Sequence, residues 1–149
     1  MIFDSEMICA FDLLEVKSNE VNKTIVSTAK AKAIECWKGG QTGTIYTIQW
    51  PGGSYKGRKV TVPSAPNLHS HQKVILYLWR GSPKDTFTIT SWTQGVELIE
   101  WDAKLKEYIL VEKNPSPVRP GKKVKKRTMA SFGKKIEEII KKGAPSKPR

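Results

Sequence analysis

Stretches in which apolar and polar residues alternate recur along the first 112 residues of this chain, and turns rich in Gly and Pro separate them. The clearest is residues 44–50, TIYTIQW, in which Tyr46, Ile48 and Trp50 share one face. Successive side chains of a β-strand point to opposite faces, so a period of two predicts strands. Six to eight such strands joined by short turns are typical of a small barrel or a sandwich. We therefore predict an all-β domain over residues 1–112.

The predicted strands span residues 7–17, 24–37, 44–50, 58–63, 72–79, 86–92, 96–101 and 108–112. In the first strand, Met7, Cys9, Phe11 and Leu13 fall on one face. In the second strand, the phase of the alternation shifts near residues 34–36, which predicts a β-bulge. The segment SNEVNK, residues 18–23, reads as a polar turn between them.

The phrase IQWPGGSYKGRKVTVPSAP, residues 48–66, carries Gly-rich turns and several cations. A phosphate-binding loop would need the GxxxxGK[ST] spacing and a following helix whose first amides face the phosphate. Neither is present, so we predict no nucleotide cofactor. Paired glycines between alternating stretches are better explained by turns that require a positive φ.

The same region interleaves aromatic and basic residues in a way that suits single-stranded nucleic acid, where bases stack on rings and cations follow the phosphates. The candidate nucleic-acid residues are Tyr46, Trp50, Tyr55, Lys56, Arg58 and Lys59. The competing interpretation places Tyr46, Ile48 and Trp50 in the core, with the cations solvated. The near-neutral charge of the β domain favours that second interpretation.

The charge of the chain is concentrated near its C-terminus. Residues 1–112 contain 13 Lys/Arg and 12 Asp/Glu, a net charge of +1, whereas residues 113–149 contain 13 and 2, a net charge of +11. Residues 113–127, KNPSPVRPGKKVKKR, read as a basic, Pro-rich linker that cannot bury enough apolar surface to order itself. Such asymmetry indicates an anionic partner, a polyanion or an anionic membrane surface. The candidate residues are Lys122, Lys123, Lys125, Lys126 and Arg127.

Residues 128–143 predict an amphipathic helix with Thr128 as N-cap and Gly143 after its last turn. Its apolar stripe consists of Met129, Phe132, Ile136, Ile139 and Ile140. A helix this short is marginal alone, so we expect the stripe to dock on the open end or the flank of the β domain. The alternative is a membrane interface. Residues 144–149 are predicted to be a disordered tail.

Local sequence supports no catalytic or metal site. His69 and His71 lie two apart without a neighbouring cluster of further ligands, and zinc sites need about four ligands. Cys9 and Cys36 form no CxxC pair, and whether they are bonded depends on whether their Cα atoms come within about 7 Å. No run reaches the roughly 18 apolar residues of a membrane span. The N-terminal MIFDSEMICAFDLLEVK lacks the basic start of a secretory signal.

Five phrases, in order, are similar to a family of small, usually exported bacterial β-barrel proteins of no agreed activity. They read EMICAFDLL, ECWKGG, PGGSYKGRKVTVPSAP, HQKVILYLW and ITSWTQG, and the C-terminal TMASFGKKIEEII resembles that family's short helix. The resemblance implies an OB-like barrel, similar in architecture to netrin-like and metalloproteinase-inhibitor modules. It implies no catalytic residues, and it implies export if a signal peptide was removed; otherwise we expect a cytoplasmic protein.

We therefore expect a non-enzymatic binding module of unknown ligand and oligomeric state, with a polybasic tail for an anionic partner or surface. One alternative is a single-stranded nucleic-acid-binding protein. The other, from the resemblance, is a protease-associated or inhibitor-like exported protein.

Overall fold

The computed structural model describes residues 2, 5–62, 65–66, 68–80, 86–89, 95–111 and 127–143. The predicted linker, apart from Arg127, and the predicted disordered tail lie outside these residues. The described strands are β1 (Met7–Val21), β2 (Thr24–Lys38), β3 (Ile45–Pro51), β4 (Gly53–Tyr55), β5 (Arg58–Val60), β6 (Lys73–Arg80), β7 (Thr86–Ile89), β8 (Val96–Asp102) and β9 (Glu107–Leu110), followed by helix α1 (Met129–Lys142). The predicted all-β fold with a short C-terminal helix is confirmed. The short strand β4, which the sequence reads as part of a turn, brings the described strands to nine.

Five strands close into a ring in the order β1-β2-β3-β7-β6, and β6 pairs back onto β1. The β3–β7 pair is parallel, whereas the other pairs in the ring are antiparallel. The ring is barrel-like and not a true barrel. Its narrowest seam is the four-residue β7, which matches three residues of β3 and three of β6. Beyond the ring, β8 pairs with β6 and β9 pairs with β8.

Strand β1 separates two hydrophobic cores because its two faces are both apolar. Met7, Cys9, Phe11 and Leu13 point into the core inside the ring, as the alternation predicts. Ile8 and Ala10, on the opposite face, are fully buried in a second core beneath the helix. A strand that is buried on both faces reads as a nearly continuous apolar run, as MICAF does.

The β1–β2 hairpin is longer and more irregular than a simple alternating pair. Cys9 pairs with Cys36 and Phe11 with Ala33, so Trp37 and Ile34 are the extra residues of two bulges. The predicted bulge near residues 34–36 is confirmed. The predicted polar turn over residues 18–23 is wrong in extent, because β1 continues to Val21. Asn22 and Lys23 alone make the turn, with φ of 49° and 66°, the conformation of a tight two-residue hairpin loop.

The predicted helix is confirmed together with both of its ends. The Thr128 hydroxyl accepts a hydrogen bond from the Ser131 amide at 3.1 Å, and Gly143 follows the last turn with φ of 82°. Met129, Phe132 and Ile136 are buried against the outer face of the ring, and the Phe132 ring lies 5.6 Å from that of Trp37 and 6.3 Å from that of Tyr77. The helix therefore docks on the flank of the ring. Ile139, placed in the stripe by its spacing, is 40% exposed, whereas Ile140 packs against the second core.

Gly133 has a packing role that its helix position does not suggest. A Cβ added at Gly133 would lie 2.7 Å and 2.8 Å from Cε2 and Cδ1 of the Trp37 indole, and closer still to its Nε1. The indole therefore lies directly on the helix backbone, and only glycine leaves room for it.

Replacing Gly133 with Ala is expected to lower the free energy of unfolding. The gain in helix propensity is about 1 kcal/mol, but overpacking costs about 1–3 kcal/mol, and the contact with the Trp37 indole is too short for a methyl group. Chemical denaturation measures the net effect. In a Trp37→Leu background the same Gly133→Ala change should stabilise instead, and stabilisation by Gly133→Ala alone would contradict this packing.

Cys9 and Cys36 form a disulfide across β1 and β2, with their Cα atoms 4.0 Å apart. Cys9 is fully buried. The bond links two strands that are already neighbours in the ring and closes a loop with a sequence separation of 27 residues. It therefore restricts the unfolded chain while it pins the bulged end of the hairpin.

Loss of this disulfide, through Cys9→Ala with Cys36→Ala, is expected to cost about 2–4 kcal/mol of unfolding free energy. Denaturation with and without a reductant measures the effect. The wild-type protein should become as unstable as the double variant when it is reduced, while the double variant should not respond to the reductant. An unfolding midpoint that is unchanged on reduction would show that the bond contributes nothing.

Candidate functional site

A cleft of about 530 Å³ lies between the β4–β5 hairpin, the described residues of the following connection, and β1, β2 and β3. The phrase PGGSYKGRKVTVPSAP supplies much of its wall. The described lining residues are Val16, Ser18, Ser27, Trp50, Pro51, Gly52, Gly53, Ser54, Lys59, Val60, Thr61, Val62, Ala65, Pro66, Leu68, His69 and Ser70.

Two glycines allow the chain to turn from β3 into this wall. Gly52 and Gly53 have φ of 94° and 132°, a region that residues with a side chain rarely occupy. A Cβ on Gly53 would also overlap the hydroxyl oxygens of Ser18 and Ser27. The predicted role of these glycines as turn residues with positive φ is confirmed.

The hairpin itself turns at Lys56 and Gly57, with φ of 48° and 78°. Two consecutive positive φ values match the right-handed twist of the flanking strands. Tyr55 then pairs with Arg58 and Ser54 with Lys59, which fixes Lys59 at the edge of the cleft.

A chain of hydroxyl groups lies at the floor of the cleft. The Ser27 hydroxyl donates to the Gly52 carbonyl oxygen at 2.7 Å. Since a hydroxyl has one proton, the 3.0 Å contact between Ser18 and Ser27 must be a hydrogen bond donated by Ser18. At the rim, the Ser70 hydroxyl oxygen accepts from the Val16 amide at 3.0 Å, which leaves its proton available.

The lining of the cleft combines apolar and polar residues, and its charged groups are basic. Trp50 is 4% exposed and Leu68 is 6% exposed. Lys59 and His69 are exposed at the rim, and the described lining residues include no Asp or Glu. A second groove of about 510 Å³ along β8 differs, because Glu100 lies in its lining together with Lys73 and a more exposed Trp101.

The structure places the aromatic residues of the nucleic-acid hypothesis mainly in the core. Trp50 is buried, and Tyr46 is half-buried with its ring 6.2 Å from Phe11 and 5.7 Å from Phe87 in edge-to-face contacts. The Tyr46 hydroxyl also accepts a hydrogen bond from the Gln41 amide at 2.9 Å. Trp50 is therefore closed to a stacking base, and the partly buried Tyr46 is held by contacts within the core.

The remaining residues of that hypothesis lie together on the β4–β5 hairpin. The Lys56 ammonium lies 5.4 Å from the centre of the half-buried Tyr55 ring. Arg58 forms a long ion pair with Glu20, at 3.9 Å. Lys59 alone of these cations lines the cleft. The structure therefore does not bring the six residues to one stacking surface.

Of the predicted polybasic residues, only Arg127 lies within the described part of the chain. It is exposed, and its carbonyl oxygen accepts a hydrogen bond from the Leu110 amide at 2.8 Å. Thr128 then bridges to Ile109, so the end of the basic run is fixed to β9. The pKa of the neighbouring Tyr77 is raised to about 12, mainly by burial and also by the Glu97 charge, while the Arg127 charge opposes both.

Within the described residues, no group of three or more His, Cys, Asp or Glu is arranged to hold a metal ion. His69 is placed in the cleft lining and His71 in the lining of the second groove. In the same part of the chain, no helix has the length and apolar character to cross a membrane.

Sequence reasoning does not single out Ser18, Ser27 and Ser70. Ser18 and Ser27 are cross-strand partners, and a signal for this was present in the hairpin turn. If Asn22 and Lys23 form a two-residue loop, residues 18 and 27 must face each other. No such signal exists for Ser70, because its hydrogen-bond partner Val16 is separated from it by 54 positions in the sequence.

No protein-family model matches the chain, and neither a curated protein nor a solved structure shows significant similarity to it. The resemblance to exported bacterial β-barrel proteins therefore stays a prediction.

Replacing Ser27 with Ala is expected to cost about 1–3 kcal/mol of unfolding free energy, because it leaves the buried Gly52 carbonyl without its hydroxyl donor. Thermal or chemical denaturation measures this. Ser54→Ala, at an exposed position of the same cleft, is the matched control and should change stability by less than about 0.5 kcal/mol. Equal effects of the two substitutions would contradict the hydrogen-bonded floor.

Proposed function

We propose that this protein is a non-enzymatic binding module whose polybasic residues Lys122–Arg127 engage an anionic partner or surface. The observation that carries the proposal is the charge distribution, since residues 113–149 hold +11 of the net charge of +12. A long-range electrostatic attraction of this kind accelerates and strengthens binding to any dense array of negative charge.

The docking of α1 supports an electrostatic rather than an insertive contact. The apolar side chains of Met129, Phe132 and Ile136 are already buried against the ring. The helix therefore presents an outer face that is mainly charged, on which Lys134, Lys135, Lys141 and Lys142 are exposed. These cations add to the field of the preceding basic run, whose last residue, Arg127, is held at β9.

We further propose that the ring is OB-like and that the protein is exported. The OB-like reading is supported by the five-stranded ring, with β1 paired to both β2 and β6 and one parallel pair between β3 and β7. Export is supported by the Cys9–Cys36 disulfide, because such bonds persist mainly in oxidising compartments.

The alternative of single-stranded nucleic-acid binding through the β domain has less support. Base stacking needs exposed rings, and Trp50 is 4% exposed. A nucleic acid remains one of the polyanions that the basic tail would recognise without reading its sequence.

Substitution of Lys122, Lys123, Lys125 and Lys126 by Gln tests the proposal without removing the docked helix. Binding to heparin and to vesicles that contain anionic lipid is measured by titration at several salt concentrations. The variant should bind at least about tenfold more weakly at low salt, since each lysine near an anionic surface contributes about 1 kcal/mol. The salt dependence of its binding should also become shallower.

The matched control replaces four exposed lysines of the β domain, Lys23, Lys32, Lys104 and Lys106, by Gln. Both variants lose the same net charge. If the control loses as much affinity as the tail variant, net charge alone determines binding. If neither variant loses affinity, the tail does not engage the partner, and the proposal is wrong in either case.

A further inference from the structure

We propose that the cleft beside the β4–β5 hairpin binds a small ligand that carries one anionic group, a phosphate or a carboxylate. This inference concerns the β domain and does not rest on the basic tail. It rests on the enclosure of the cleft, the sign of its charges and the hydrogen-bond donors at its rim.

The size of the cleft suits a small molecule. Binding sites for such molecules typically enclose about 300–1,000 Å³, and this cleft encloses about 530 Å³. The apolar part of its lining comes from four separate segments: Val16, Trp50 with Pro51, Val60 with Val62, and Ala65 with Pro66 and Leu68. The uncharged part of the ligand would contact these residues.

The charges at the rim favour an anion over a cation or a neutral ligand. Lys59 and His69 line the cleft, whereas none of its described lining residues is Asp or Glu. The carboxylate of Glu15, next to the lining residue Val16, is 2.9 Å from the Lys17 ammonium. The hydrogen bond from Lys17 and its charge hold the pKa of Glu15 below its ordinary value, which marks this carboxylate as engaged with Lys17.

Lys59 differs from the other two cations of the hairpin in having its charge available. Lys56 lies over the Tyr55 ring, and Arg58 is paired with Glu20. Within the described residues, Lys59 is exposed and has no carboxylate within 4 Å. Charge-assisted hydrogen bonds from an ammonium to phosphate or carboxylate are among the stronger polar contacts.

Hydroxyl groups complete the donor set. The Ser70 oxygen accepts from the Val16 amide, and its proton has no acceptor among the described residues, so it can be donated to a ligand. Ser54 and Thr61 add exposed hydroxyls on the hairpin side. The Gly52 amide, by contrast, already donates to the Ile25 carbonyl at 2.8 Å. Anion recognition here therefore uses side chains, unlike the backbone cradle of a phosphate-binding loop.

The test is a titration of the full, ¹⁵N-labelled chain, followed by amide chemical shifts, with three probes of one shape: phenyl phosphate, benzoate and benzyl alcohol. We expect one or both anions to produce saturable shifts at Ser54, Thr61 and Ser70, with a Kd of about 1 mM for ligands of this size. Their relative affinities distinguish a phosphate site from a carboxylate site. The neutral alcohol should bind at least about threefold more weakly.

Two substitutions at exposed positions alter the charge of the cleft, and each has a matched control. Lys59→Gln should weaken binding of the anions about threefold to tenfold, whereas Lys56→Gln, on the same hairpin but outside the cleft lining, should not. Thr61→Glu should weaken the anions further by repulsion, whereas Thr42→Glu, in the turn before β3, should not.

Three results would overturn the inference. The first is equal binding of benzyl alcohol and the anions, which would show that the cleft does not select for negative charge. The second is anion-dependent shifts confined to residues 113–149, which would place the contact on the basic tail alone. The third is the absence of saturable shifts at the cleft.

Discussion

The pairing of β1 with both β2 and β6 is the interaction on which the rest of the structure depends. It closes the ring, because β6 would otherwise be joined to β2 only through β3 and the four residues of β7. It also gives β1 two buried faces, one toward the inside of the ring and one toward the helix. The disulfide at Cys9 fixes the bulged start of this strand, and its far end carries Ser18 into the floor of the cleft.

The apolar packing and the net charge of the chain lie in different parts of the sequence. Its β domain is nearly neutral and holds its apolar residues in two cores, while most of its net charge follows β9 in the sequence. The apolar stripe of α1 packs on the ring, and the Arg127 carbonyl oxygen accepts a hydrogen bond from the Leu110 amide. The basic run is therefore anchored at its C-terminal end. This anchor is the structural feature behind the proposed attraction between the basic run and an anionic partner. The ligand proposed for the cleft carries the same sign of charge as the partner proposed for the basic run.

Local pattern was enough to predict most strands and the helix, because alternation, glycine turns and a Thr cap act over a few residues. It failed for features that depend on contacts between residues far apart in the sequence. The turn at Asn22 and Lys23 depends on where β1 stops pairing, and Ile139 is exposed because α1 docks through Phe132, Ile136 and Ile140. The Cys9–Cys36 bond depends on the bulges of both strands, because the extra residue Leu14 in β1 offsets the extra residue Ile34 in β2. The cleft is lined by side chains that lie between residues 16 and 70 of the sequence, and no short sequence motif indicates that they come together.

Native-state amide hydrogen exchange tests the central role of β1 most directly, since slow amides report the elements that open only on global unfolding. We predict that the amides of Ile8–Phe11 and of the facing residues Val74–Tyr77 are among the slowest in the chain, with opening free energies equal to that of global unfolding. The turn between β8 and β9 should exchange much faster. If β1 and β6 exchange through a local opening while β2 and β3 stay protected, the ring is not closed through β1, and the account fails.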